Sequence, residues 1–185
     1  MRFAYYGRLS RRDQAVYRRS DEVASVALPD AGALGPAVVR LGAALLRDDA
    51  GEVAVASAEI AGRVSRQLGA PAPVVQVLAV RPSEDWGELH GLYTQDGDEV
   101  ARIQVWMRTA HRADVVAFRT FLRTLLHELC HHLDFEVLGL DRSFHTEGFF
   151  RRESSLFRQL VPAARAPAQR ALPLPPARPP PGRRG

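Results

Sequence analysis

The chain has 185 residues, 46% of them apolar, a formal net charge of +4 and a single cysteine. That length and apolar content suit one domain with a real core rather than a disordered chain. One cysteine excludes an intramolecular disulfide framework and a cysteine-based structural zinc site, and no apolar run approaches the length of a membrane helix.

The opening MRFAYYGRLSRRDQ is positive but has no apolar stretch behind it, unlike a secretory signal, so a cytoplasmic protein is expected. Ser10 followed by Asp13 resembles a capping box and predicts a polar helix through about Val23. Leu34, Val38, Leu41 and Leu45 recur at helical spacing over 31–47, and Val53, Ala56, Ile60, Val64 and Leu68 do so over 51–69. Pro71 and Pro73 end that pattern. The β-branched run Val74–Val80 predicts a buried strand. Residues 87–94 and 99–107 predict two more, joined by a turn at Asp96-Gly97.

Asp114 is the expected N-cap of the next helix, which carries Phe118, Leu122, Leu125, Leu126, Leu129 and Leu133 as its apolar stripe and ends near Gly139. Ser143 is expected to cap a last helix with Phe149, Leu156, Phe157 and Leu160 on one face. From Pro162 onward the chain is rich in Pro, Ala and Arg, and a disordered tail over 162–185 is expected. Residues 161–185 hold 5 Arg and no acid, whereas residues 71–160 hold 10 Arg against 13 acids. The high isoelectric point therefore owes most to the tail, and charge gives only weak support for nucleic-acid contact. The expected organisation is an N-terminal helical segment over 1–70 packing on a second domain over 71–161 that contains His127-Glu128-Leu129-Cys130-His131. The expected fold class is α+β: N-terminal helices, a small three-stranded sheet, the helix that carries His127 and His131, and a C-terminal helix.

The chemistry concentrates in His127-Glu128-Leu129-Cys130-His131. Histidines four apart on a helix share a face one turn apart, so one Zn2+ ion can touch both imidazoles. Glu128 follows the first ligand, where its carboxylate reaches a water beside the metal rather than the metal. A catalytic zinc needs a third protein ligand and one open position. Asp134 and Val137 stand where one HExxH subclass has Gly and His, which excludes that subclass. The remaining third-ligand candidates are His145, Glu147 and Glu153, with imidazole the favoured donor type.

Around these, Asp134 is eligible to orient a ligand imidazole or to be a surface charge, Cys130 is expected to be buried packing, and His132 is expected to be exposed. The strand at 101–107 is eligible to pair with an extended substrate, with Trp106 or Met107 near a subsite, or to be an ordinary edge strand. Tyr93, His90, His111, Arg142 and Arg151 are eligible donors to an oxyanion.

The segments HELCHH and SFHTEGFFRR together resemble the SprT-like zinc metallopeptidases of the zincin group. Their pattern is H-E-x-x-H, a linker, then a His followed four residues later by an aromatic; His127, Glu128, His131, His145 and Phe149 match it. The resemblance covers residues 99–160. It implies a zincin-like fold, zinc held by His127, His131 and His145, Glu128 as general base, and a protein or peptide as substrate. The family's usual His-Gly is His145-Thr146 here, and no four-cysteine ribbon follows. The rival expectations are a zinc-binding regulator with little turnover, against which Glu128 argues, and a protein associated with nucleic acid through its Arg-rich ends.

Overall fold

The computed structural model describes residues 3–84, 87–97 and 99–165. After a 3-10 turn at Ala4–Arg8 come helices α1 (Arg11–Glu22), α2 (Gly35–Leu46) and α3 (Ala50–Gln67). Strands β1 (Val74–Val80), β2 (Ser83–Glu84), β3 (Gly87–Glu88), β4 (Gly91–Thr94) and β5 (Arg102–Arg108) follow, then α4 (Phe118–Glu136) and α5 (Glu147–Arg165). The class is α+β, with five helices and a small mixed three-stranded sheet among the described residues.

Local chemistry accounts for most boundaries. Ser10 Oγ accepts the Asp13 amide at 3.1 Å and starts α1, as the capping box predicts. Asp49 accepts the Glu52 amide at 3.0 Å and starts α3, and α2 opens with Pro36 in its first turn, where a missing N–H costs nothing. Gly139 adopts φ +55° just past α4, the left-handed conformation that stops a helix cheaply only at glycine.

Three boundaries differ from expectation. Asp114 does not cap α4, which begins at Phe118 after Ala117. Residues 109–116 are instead tied back to β5: the Thr109 amide donates to the Asp114 carbonyl and the Val116 amide to that of Met107. Ser143 does not cap α5; Thr146 does, its hydroxyl accepting the Phe149 amide at 2.9 Å. Helix α5 also runs past Pro162 to Arg165, so the proline does not end it. The rest of the expected tail, from residue 166, lies outside the described residues.

The sheet order is β1-β5-β4. β5 lies in the middle, parallel to β1 with Val77 opposite Val105, and antiparallel to β4 with Tyr93 opposite Ile103. The strand over 101–107 is therefore no edge and cannot take a further strand; Trp106 and Met107 on it are buried. β1, expected to be buried, is an edge strand with Val74 and Val80 exposed. The expected strand at 87–94 is broken at residues 89–90, leaving β4 as the other edge. α4 packs on β4 and β5 and against α5, α2 pairs with α3 and with α5, and α3 lies on β1. One apolar core joins Leu34, Leu41 and Ile60 of the N-terminal part to Ile103, Leu125, Leu129 and Leu156.

Candidate metal centre

α4 is held by its apolar stripe: Leu122, Leu125, Leu126, Leu129 and Leu133 are all buried. That fixes the rotation of the helix and sends His127 and His131 to a common face. The chain reverses after Gly139 and brings His145 back over that face. His145 Nε2 lies 3.0 Å from His127 Nε2 and 3.1 Å from His131 Nε2, and the donor atoms of the three histidines all fall within 4.8 Å of one another.

The opposite nitrogen of each helical imidazole decides what the inner nitrogens carry. His127 Nδ1 is 3.2 Å from Glu153 Oε2, an acceptor, so it holds the ring's proton. His131 Nδ1 is 2.7 Å from Ser143 Oγ, and that hydroxyl donates to Asp134 Oδ2 at 2.7 Å, so here too Nδ1–H donates. With these rings neutral, the inner Nε2 atoms of His127 and His131 both present lone pairs to His145 Nε2. That atom has at most one proton to offer, so at least one of the two contacts sets lone pair against lone pair. A cation held between the three nitrogens would resolve this, and the three histidines could hold one. Tetrahedral zinc with bonds of 2.0–2.1 Å would hold its ligand nitrogens about 3.3 Å apart, close to the spacing here. Burial and the neighbouring His127 and His145 push His131 down to about 3, and burial lowers His145 as well. Neutral imidazole is the form that binds metal.

Glu128 is 6% exposed and lies between α4 and β4. The Tyr93 main-chain N–H donates to its carboxylate. Burial pushes its pKa up to about 7 against the pull of His127 and of that N–H. The fit depends on Gly91: a Cβ there would stand 2.4 Å from Glu128 Oε1. Two clefts meet at this point. One of ≈ 420 Å³ is lined by Leu89, His90, Gly91, Arg123 and Thr124, and one of ≈ 380 Å³ by Leu92, Tyr93, Phe135, Ser143 and His145; both are bounded by His127 and Glu128.

Of the third-ligand candidates, only His145 is brought to the other two histidines. Glu153 sits behind His127 and is held by Arg123 at 3.1 Å, where it orients the ring. Glu147 pairs with Arg151 on the exposed side of α5. Asp134, fully buried, reaches His131 through Ser143 and also meets Arg152 at 2.7 Å; burial pushes its carboxyl up while Arg152 and Ser143 pull it down. Cys130 is buried, as expected. His132 is buried rather than exposed, with Nε2 2.8 Å from the Pro71 carbonyl.

Among the eligible oxyanion donors, Tyr93 stacks on Phe135 and His131 while its hydroxyl is engaged by Gln95. Arg142 meets Asp13 at 3.3 Å and Arg151 meets Glu147. His90 lines the larger cleft, and His111 is exposed in the connection between β5 and α4. Sequence reasoning missed Ser143, Arg152 and Gly91 as parts of the site. A serine in a loop and a glycine at the start of a strand have no signal in one sequence that marks them. Comparison with protein-family models, characterised proteins and solved structures gave no match to this chain.

Proposed function

We propose that this protein is a zinc metallopeptidase with a zincin-like fold, similar to the SprT-like family, with one zinc ion held by His127, His131 and His145. The observation that carries the reading is the meeting of three imidazole nitrogens, two of them with lone pairs turned inward, beside the buried Glu128. The chemistry zinc supplies in such a set is Lewis acidity, which makes a water acidic near neutral pH and polarises a carbonyl. The rest falls to the chain. Glu128, as carboxylate, takes the proton from the attacking water and returns it to the leaving amine. The Tyr93 main-chain N–H and the bare Gly91 keep that carboxylate on the β4 side of the imidazoles. Among the described strands β4 pairs only with β5, and its other edge, where the Tyr93 N–H is held by Glu128, borders the two clefts in which an extended peptide would lie.

A carboxylate placed beside the three histidines favours turnover over a purely metal-binding role, which needs no base there. Among the described residues, nucleic-acid contact through the Arg-rich N-terminal end has no comparable geometric support. No described helix is long and apolar enough to cross a membrane, and a cytoplasmic location is part of this reading. The test is cleavage of a mixed peptide library by zinc-loaded wild type and Glu128→Gln. Wild type should cleave, and the variant should keep its zinc and lose at least about 100-fold in rate, within the range of general acid–base catalysis. Equal rates for the two proteins, or zinc-loaded wild type that cleaves nothing, would count against the proposal.

A further inference from the structure

The metal ligands lie within residues 127–145, yet the support of the site reaches into α1. The segment 137–146, which delivers His145, contains neither helix nor strand, so its position depends on what grips it. The N-terminal part grips it at several points. Tyr5 donates its hydroxyl proton to the His145 carbonyl at 2.9 Å. Arg19 donates to the Leu138 carbonyl at 2.7 Å and the Gly139 carbonyl at 3.3 Å, and the Gly148 amide donates to Asp21 Oδ1 at 2.8 Å. Gly148 itself packs so closely on α1 that a Cβ would stand 2.5 Å from the Asp21 carbonyl oxygen. The ion pair of Arg12 with Asp141 is exposed and adds little.

The buried link is different. Arg152, 1% exposed, donates to the Ser20 and Val23 carbonyls at 2.6 Å each and to Ser20 Oγ at 3.0 Å, at the C-terminal end of α1. Its other partner is Asp134 Oδ1. The second Asp134 oxygen takes the Ser143 proton, and Ser143 Oγ takes the Nδ1–H of His131. An unbroken line of hydrogen bonds therefore runs from the end of α1 to one ligand of the metal centre. A buried Arg–carboxylate pair is a poor device for stability alone, since its desolvation consumes most of the attraction. It is a good device for holding a carboxylate in one orientation.

We infer that Ser143 is a positioning residue of the metal centre, with Asp134 and Arg152 as its support and α1 as their anchor. It holds His131 in the Nδ1–H tautomer, with Nε2 free and aimed at His127 and His145. The inference rests on the metal-centre reading and adds that α1, which lies outside the motif-bearing segment, is part of that centre.

The test uses the full chain with Ser143→Ala, and Ser143→Thr as the hydroxyl-retaining control. Zinc affinity is read by competition with a chromophoric chelator, and ligand geometry by the visible spectrum of the Co2+ form. In metal-free protein the His131 tautomer is read from side-chain 1H–15N correlations. Ser143→Ala should weaken zinc binding about 10–100-fold, the usual effect of losing such a partner. It should also shift the Co2+ bands and move His131 toward Nε2–H, while Ser143→Thr stays near wild type in all three. Wild-type affinity and tautomer in Ser143→Ala, or an Nε2–H tautomer in the wild type, would overturn the inference. Wild type that takes up no zinc would end the metal reading, and the tautomer measurement would still decide the role of Ser143.

Discussion

At Gly91 one added carbon decides whether Glu128 can occupy its place. The backbone of β4 lies against the carboxylate, and a Cβ would meet Oε1 at 2.4 Å and Cγ at 2.7 Å. Gly91→Ala should therefore push the carboxylate aside without touching a histidine. We expect unchanged zinc stoichiometry and a fall of about 100-fold in peptide cleavage, the scale associated with a displacement near 1 Å. Cleavage at the wild-type rate would mean that Glu128 does not act from this position. The two kinds of site residue differ in how legible they were. His127, Glu128 and His131 follow from four-residue spacing inside a helix whose apolar stripe is regular, so one face could be read directly. His145 needed a chain reversal at Gly139, which spacing leaves open among His145, Glu147 and Glu153. Ser143 and Gly91 matter through what they touch across the fold, and residue type alone carries no trace of that. His132 was misjudged for a related reason: one residue on from His131 it turns to another side of the helix, and that side is covered by the Pro71 segment and Tyr93.

Among the elements, the entry to α5 shows how a cap is chosen by tertiary contacts. Both Ser143 and Thr146 have suitable hydroxyls, but Ser143 is committed to His131 and Asp134, so Thr146 accepts the Phe149 amide. Thr146→Ala should cost about 1 kcal/mol in urea unfolding, the typical value of a lost N-cap. Asp114→Ala should stay within about 0.5 kcal/mol, because Asp114 is exposed and α4 begins beyond it. A larger loss at Asp114 than at Thr146 would reverse this assignment of caps. The helices over 31–47 and 51–69 were legible because a 3.6-residue apolar period needs only neighbouring residues. The order β1-β5-β4 was not. It depends on pairings such as Val77 with Val105, 28 residues apart, and a strand of alternating residues reads alike at the edge and in the middle.

Across the whole molecule, the N-terminal helices and the motif-bearing part share one core. Leu41 on α2 is fully buried in the cluster that also contains Leu125 and Leu129 of α4. Leu41→Ala should lower stability by about 2–5 kcal/mol and leave a single unfolding transition seen alike by far-UV circular dichroism and tryptophan fluorescence. Two separated transitions would mean that residues 1–70 fold as a unit apart. The same continuity explains how α1 can support a site far along the chain, an arrangement that the local pattern of residues 1–70 did not reveal.

A zinc ion held by His127, His131 and His145 beside Glu128 can be read by X-ray absorption spectroscopy of zinc-loaded protein. The spectrum should show zinc with three imidazole nitrogens and one further light atom near 2.0–2.1 Å, and His145→Ala should lose one imidazole from that shell. Protein that binds no zinc, or a zinc shell that His145→Ala leaves intact, would contradict it.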